Sequence, residues 1–374
     1  MQYRKFGKTD FEVSALGFGC MRLPMIKGST KKTDVDEAEA IRMIRKAIDD
    51  GVNYLDTAWP YHDGASEAVL GKALKDGYRE RVKIATKCPT WLVNSAEDFD
   101  SILDKQLKRL DIDKIDFYLL HNLYDTVWED CVLKYDLLSR MEAAKAAGKI
   151  DYFGFSFHDE YDVFIDIING YNWDFCQIQM NYNDIDYQAT MKGLEEAGRR
   201  GMGVVIMEPL LGGKLTRLPE AAAKMMSDKK SPVEWGLDFL WNRPEVSVVL
   251  SGMSTMQHVE DNLLYAGRSS TGMLSQDDVD MLMRVRAAYK NLIIAPCTGC
   301  EYCLPCPAGI LIPQLLEAYN RTATLGMSDA VDYYNERKGD VGADACLQCK
   351  QCEGECPQHI LISDMMEKMA KIFA

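Results

Sequence analysis

The chain has 374 residues, 47% of them hydrophobic and 27% charged, and a formal net charge of −14. That balance is the one of a folded globular protein, and the length asks for one large and one small domain rather than a single core. The acidic excess argues against a nucleic-acid or anionic-membrane surface as partner. No apolar run approaches membrane-spanning length, and the opening Met1-Gln-Tyr-Arg-Lys-Phe-Gly-Lys8 has no apolar signal core, so a cytoplasmic protein is expected.

Residues 3–13 read as a small hairpin. Short β-like runs then follow at Ala15–Gly19, Asn53–Leu55, Val82–Thr86, Ile115–Leu120, Tyr152–Phe155, Phe175–Gln179, Gly203–Met207 and Ser247–Leu250. Between them lie stretches with apolar residues at three- to four-residue spacing, such as Ala38-Ile41-Ile44-Ile48 and Ile102-Leu103-Leu107-Leu110. Further helices are predicted near Ala68–Lys75, Val132–Ala147, Tyr161–Asn169, Ala189–Arg200, Pro232–Trp241 and Met256–Tyr265, with Gly148 and Gly201 as C-caps. Eight strand–helix units over about 250 residues is the size of a (β/α)8 TIM barrel. A doubly wound open sheet shows the same alternation, but no Gly-x-Gly-x-x-Gly follows the first strand, and eight regular units suit closure better. The α/β barrel is therefore expected over residues 1–285. A small, mainly α-helical domain is expected over 286–374, with helices at Leu311–Ala323, Ser328–Arg337 and Ile360–Phe373.

In barrels of this kind chemistry sits at the C-terminal ends of the strands. Asp56, Lys87 and His121 stand there after the second, third and fourth strands, and a loop through Pro60 brings Tyr61 back beside Asp56. A free phenol with pKa near ~10 holds its proton too tightly to be an ideal acid at neutral pH. An ammonium beside it favours the phenolate, so Lys87 is expected to lower the Tyr61 pKa, with Asp56 fixing Lys87 and His121 orienting the substrate oxygen. Singly, each has a bland reading: a strand-end cap for Asp56, a half-buried loop ring for Tyr61, a solvated Lys87, a satisfied interior imidazole for His121. His62 reads as a loop residue.

These segments resemble the aldo/keto reductase signature: Asp56-Thr-Ala-x-x-Tyr61 with Ser66-Glu67, Ala85-Thr-Lys87, and Tyr118-Leu-Leu-His121. Gly154-Phe-Ser156, Gln177-Ile-Gln179, Val205-Ile-Met-Glu-Pro-Leu210 with Gly212-Gly213, and Asp261-Asn262 agree, so the resemblance covers roughly residues 1–270. It implies Tyr61 as the acid, supported by Asp56, Lys87 and His121, acting on a small-molecule carbonyl substrate. It further implies a nicotinamide nucleotide, NADPH or NADH, held at Ser156, Gln177, Met207, Gly212, Gly213 and Asn262. The match departs from the family on this side. Phe157 replaces the Asn expected after the serine, and Met207 replaces the aromatic ring expected to stack on the nicotinamide. Gly252 and His258 stand where Lys and Arg would bind a 2′-phosphate, leaving Lys214 or Arg217 as substitutes.

Eight of the twelve cysteines fall in two runs. Cys346-x-x-Cys349-x-x-Cys352-x-x-x-Cys356-Pro has the spacing of bacterial-type 4Fe–4S ferredoxins, and Cys297-x-x-Cys300-x-x-Cys303-x-x-Cys306-Pro has it with one residue fewer before the last cysteine. Because the fourth cysteine of each run commonly serves the other cluster, two [4Fe–4S] clusters are expected. One is held by Cys297, Cys300, Cys303 and Cys356, the other by Cys346, Cys349, Cys352 and Cys306. Zinc sites use paired Cys-x-x-Cys units and fit two such runs poorly. With the barrel, the chain resembles the aldo/keto reductases that carry a C-terminal ferredoxin-like domain. Nicotinamide moves two electrons as hydride whereas a cluster passes one, so direct coupling would need a flavin, for which no motif is present, or a radical-tolerant substrate. A ferredoxin or another redox partner is expected on the same ground. The alternative is an electron-transfer module whose clusters staple or feed a weakly active or silent barrel.

Overall fold

The alternation resolves into a closed, all-parallel barrel in the computed structural model, which describes residues 1–29 and 31–373. A hairpin of β1 (Tyr3–Lys5) and β2 (Glu12–Ser14) precedes it. The staves follow in chain order: β3 (Leu16–Gly19), β4 (Tyr54–Asp56), β5 (Lys83–Pro89), β6 (Ile115–Leu123), β7 (Ile150–Phe157), β8 (Phe175–Gln179), β9 (Gly203–Met207) and β10 (Val248–Gly252), which pairs back to β3. All eight expected runs became strands, because continuous apolar stretches suit staves buried on both faces. Inside, Tyr54, Ala85, Phe117, Leu119, Phe175, Val205, Val248 and Leu250 form one core. The hairpin loop adds Phe6, whose ring lies 4.7 Å from Phe117 and 5.7 Å from Phe175. Gly203 makes room for it, since a Cβ there would meet the Phe6 ring at 2.4 Å.

Helices form where the apolar spacing predicted them. Glu37–Asp49 starts at Asp36, whose carboxylate accepts from Glu39 N–H at 3.1 Å, and it buries Ala40, Met43, Ile44, Ala47 and Ile48 as one stripe. One expectation needs correction. Val132–Ala147 is not a single helix: a π-helical turn covers Trp128–Leu133, and the α-helix runs over Leu137–Ala146. Asp136 breaks it with a φ of 50°, a conformation Asp tolerates better than most residues, and its carboxylate accepts from Ser139 Oγ. Gly148 and Gly201 end their helices in the left-handed conformation, as expected of C-caps.

The chain divides into two compact units, Met1–Pro209 with Leu237–Leu274, and Leu210–Gly236 with Ser275–Ala374. The second unit thus gathers a segment from within the barrel sequence and a helix, Gln276–Lys290, that the periodicity did not announce. That helix starts at a capping box in which Ser275 and Asp278 bond each other's backbone N–H. The unit's longer helices also include Ile312–Thr324, Met327–Arg337 and Ile362–Ile372, around a core of Leu315, Leu316, Tyr319, Tyr334, Ile360, Met366 and Met369. Asn320 ties the approach to the first cysteine run, accepting from Ala295 N–H at 2.8 Å and donating to Ala295 O at 2.7 Å. No helix among the described residues is long and apolar enough to cross a membrane.

Candidate active site

The three strand-end residues and the loop tyrosine meet. Adjacent strands β4 and β5 bring Asp56 and Lys87 together, and Lys87 Nζ donates to Asp56 Oδ1 at 2.8 Å, to Thr57 O at 2.8 Å and to Tyr61 Oη at 3.2 Å. His121, on β6, lies edge-on to the Tyr61 ring with centroids 6.3 Å apart, and Trp91 packs on its imidazole at 5.1 Å. All four are buried. Tyr61 returns to this place through a tight turn in which His62 and Asp63 are both left-handed. His62 anchors the turn by accepting from Leu23 N–H at 3.1 Å through Nε2, while Nδ1 lies 3.2 Å from Lys32 O.

A layer behind the tetrad holds the strands in place. Glu67 accepts from Thr86 Oγ1 at 2.8 Å, from Gln106 Nε2 at 2.6 Å and from Arg109 Nη1 at 3.2 Å. Ser66 Oγ lies 2.8 Å from Thr57 Oγ1 and donates to Cys20 O at 3.0 Å. The Ser66-Glu67 pair of the sequence motif therefore ties the β3, β4 and β5 ends together, one step removed from Asp56, Tyr61, Lys87 and His121.

Burial sets the electrostatics. It pushes the Asp56 carboxyl up and the Lys87 ammonium down, and their mutual contact opposes both shifts. His121 falls well below the ordinary imidazole range through burial, then the charges of Lys87 and His158, so it is neutral at pH 7. Tyr61 corrects the expectation. Its phenol is raised well above the ordinary value, by burial first and then by the negative charges of Asp56 and Glu208, against a lowering from Arg22. The Lys87 ammonium is paired with Asp56, which largely cancels its field at Tyr61, while the loss of water penalises the phenolate in full. Glu208 escaped the sequence reading. Position 208, with a φ of 54°, carries no local signal that its side chain would bear on Tyr61.

The residues expected at a nicotinamide fall in different surroundings. Ser156 and Gln177 are register partners on β7 and β8, both buried. Ser156 Oγ accepts from Asn122 N–H at 2.8 Å, and Gln177 Nε2 reaches Met207 Sδ at 3.4 Å. Gln177 Oε1 is sealed from solvent with no hydrogen-bond partner among the described residues. An orphaned amide oxygen beside a hydroxyl and a thioether fits a carboxamide-bearing ring, since the carboxamide brings N–H donors. Asn262 is buried and donates to Ser251 Oγ at 3.0 Å, linking the helix Met256–Gly267 to β10.

Gly212 and Gly213 belong to the second unit. Both are left-handed, and a Cβ on Gly212 would lie 2.0 Å from Thr298 O, so the close approach that requires glycine is to the first cysteine run. The Gly213 N–H donates to Leu210 O at 2.9 Å. Lys214 is paired with Glu317. Arg217 is exposed.

In the same unit the cysteines of the two runs lie near one another. Burial raises the Cys303 thiol first, and Cys300, Cys297, Cys356 and also Cys352 lie near enough to add to it. Cys352, pushed up to about 11 by burial first, feels Cys306 and Cys346. A cavity of 460 Å³ is lined by Cys303, Cys306, Cys346, Cys349 and Cys352 together with Ile310, Ile312 and Met366. Thiols beside one cavity are the donor chemistry an iron–sulfur cluster needs, although among the described residues no three ligating groups stand close enough together to hold a metal ion. Cys20, Cys88, Cys131 and Cys176 are buried apart from these runs, and none of the cysteines is in a disulfide.

Residues 15–286 match the aldo/keto reductase family model, and residues 296–361 match the model of the 4Fe-4S dicluster domain. The chain is similar to the L-galactose dehydrogenase of Arabidopsis thaliana, 26% identical over 316 residues that cover 78% of this chain and 96% of that protein. It is also similar to the uncharacterized oxidoreductase YrpG of Bacillus subtilis (strain 168), 28% identical over 240 residues, 58% of this chain and 68% of the other. Among solved structures, the holo form of the aldo-keto reductase AKR11C1 from Bacillus halodurans gives a TM-score of 0.65 at 26% identity, over 76% of this chain and 96% of that one. An aldo-keto reductase from Klebsiella pneumoniae, solved in complex with NADPH, gives 0.60 at 22% identity over 76% and 95%, a likeness of fold alone.

Proposed function

Because the chain belongs to the aldo/keto reductase family and is an oxidoreductase, we propose that it reduces the carbonyl group of a small aldehyde or ketone with Tyr61 as proton donor. A nicotinamide nucleotide, NADPH or NADH, would supply hydride to the carbonyl carbon. The remaining work falls to the chain's own residues. The Tyr61 hydroxyl faces the carbonyl oxygen and gives up its proton as that oxygen gains negative charge, since an alkoxide is a far stronger base than a phenolate. Lys87 then steadies the phenolate through its 3.2 Å contact, and Asp56 keeps the lysine aimed. Neutral His121 hydrogen-bonds and orients the substrate oxygen, and burial keeps water from competing for the proton.

The observation that carries this reading is the single Lys87 ammonium bridging Asp56 and Tyr61 inside a buried strand-end site. Two [4Fe–4S] clusters in the second unit would pass single electrons, to or from a ferredoxin or similar redox partner, with a flavin as a mediator able to join one- and two-electron steps. The crossed assignment of Cys306 and Cys356 is supported by Cys356 lying near Cys303 and Cys306 near Cys352. Clustered thiols with no disulfide favour a reducing, cytoplasmic setting.

One observation favours the second reading, a silent barrel stapled or fed by clusters. The loop groups expected at the nucleotide's phosphates are engaged within the second unit: Lys214 by Glu317, and the Gly213 N–H by Leu210 O. A donor comparison separates the two. NADH, NADPH and reduced viologen are each offered with a carbonyl panel to anaerobically purified wild type and Tyr61→Phe. Nicotinamide-driven turnover lost in Tyr61→Phe supports the reductase. Turnover with viologen alone makes the clusters the electron entry, and equal turnover in both proteins removes Tyr61 as the acid.

A further inference from the structure

β6 ends on a register fault at His121 and the residue after it. Its register against β7 is even up to Leu120 opposite Phe155 and resumes at Leu123 opposite Phe157, so β6 holds one residue more than its partner over this step. The extra residue falls at His121–Asn122, and Asn122 has a φ of 62°. In an unbroken pleat the inward Leu119 and His121 would leave Asn122 facing outward, towards the helices. The bulge interrupts that alternation and re-aims it.

Three polar groups are then neighbours across β6, β7 and β8. Asn122 Oδ1 is sealed from solvent and has no hydrogen-bond partner among the described residues, and the same holds for Gln177 Oε1. Between them in strand order, Ser156 Oγ accepts from the Asn122 N–H, which leaves its own proton to give. A buried oxygen without a donor costs roughly 1–3 kcal/mol, so two on strands flanking one hydroxyl mark a place built for an absent ligand. Two acceptors around one donor complement a primary carboxamide, which offers two N–H groups and one carbonyl oxygen. Position 157 offers no such group: Phe157 packs against Phe164 in the helical layer at 5.1 Å.

We infer that Asn122 is a positioning residue for a nicotinamide carboxamide, accepting one of its N–H groups while Gln177 takes the other and Ser156 donates to its oxygen. This rests on the nicotinamide reading of the proposed function. Asn122 fixes which face of the ring meets the substrate and takes no part in proton transfer.

Binding of NADH and NADPH, and of their 3-acetylpyridine analogues, tests it by tryptophan fluorescence quenching. The analogues replace the amide nitrogen by a methyl group and so have no N–H to give. Asn122→Gly removes the side chain without straining the left-handed backbone, and Asn122→Asp keeps an acceptor oxygen. Asn122→Gly should weaken the natural nucleotide roughly tenfold and leave the acetylpyridine analogue within about twofold, while Asn122→Asp stays close to wild type. Equal weakening of both nucleotides, or of neither, overturns the assignment. So does a well-folded Asn122→Asp that binds as poorly as Asn122→Gly. A wild-type protein that binds neither NADH nor NADPH overturns the nicotinamide reading itself, and that result appears before any variant is compared.

Discussion

Removing the Tyr61 hydroxyl and removing the Lys87 ammonium should have separable consequences. In Tyr61→Phe, Lys87 keeps Asp56 Oδ1 and Thr57 O, each at 2.8 Å, so one hydrogen bond is lost and stability should fall by only about 1 kcal/mol. Carbonyl reduction should fall about 10²- to 10⁴-fold, the range that a positioned general acid contributes. Lys87→Met is different. Lys87 is fully buried and Asp56 nearly so, and the Asp56 Oδ2 already lacks a hydrogen-bond partner among the described residues. Deleting the ammonium strands a buried carboxylate, at a cost of about 3–5 kcal/mol. For a barrel of this size that is a fall in Tm of roughly 6–20 °C. The double variant Lys87→Met/Asp56→Asn removes both charges and should regain most of that stability while remaining inactive. Thermal melts followed by circular dichroism, beside steady-state rates on the same anaerobic preparations, give both readouts. A Lys87→Met protein as stable as wild type, or a double variant no better than the single one, would refute the buried-pair argument. Full activity in Tyr61→Phe would refute the acid.

Three further outcomes are expected. Reduction needs Tyr61 protonated, and its raised pKa keeps it so to higher pH; the rate of carbonyl reduction should therefore show no loss of an acid between pH 6 and about 9 and should decline only beyond ~10, so a descending limb near pH 7 in the pH–rate profile would contradict the direction of the shift. Cys300→Ser and Cys306→Ser belong to different expected clusters, and each should lower bound iron from roughly eight to roughly four atoms per chain, measured by iron and sulfide assay with the visible spectrum; a colourless wild type carrying zinc would exclude the clusters. Gly212→Ala places a Cβ 2.0 Å from Thr298 O at a φ of 63°, so the first cysteine run must shift and iron content should drop, whereas Gly213→Ala, with open space around it, strains only its own backbone and should retain more iron.

Much of the frame was legible because its causes are local. An apolar run such as Phe175–Gln179 is a strand in any context that buries both faces, and it formed with the bounds its residues suggested. The strand-end placement of Asp56, Lys87 and His121 was legible for the same reason, and so was the clustering of the cysteines in two runs. What the sequence did not reveal depends on residues far apart in the chain. The pKa direction of Tyr61 turns on how completely the fold removes water and on Asp56 already holding Lys87, neither of which spacing encodes. Glycine at 212 was expected at a nucleotide, but its necessity comes from Thr298, 86 residues on, a long-range packing contact. The helix Gln276–Lys290 and the segment Leu210–Gly236 joined the cysteine-bearing unit through tertiary contacts that no periodicity signals. The bulge at His121–Asn122 arises from a mismatch in residue number between two strands, and only the paired register makes it visible. Residue types and their alternation thus set which elements exist and which chemistry they carry. Burial and register, properties of the closed barrel as a whole, decided the protonation and orientation of the groups inside it.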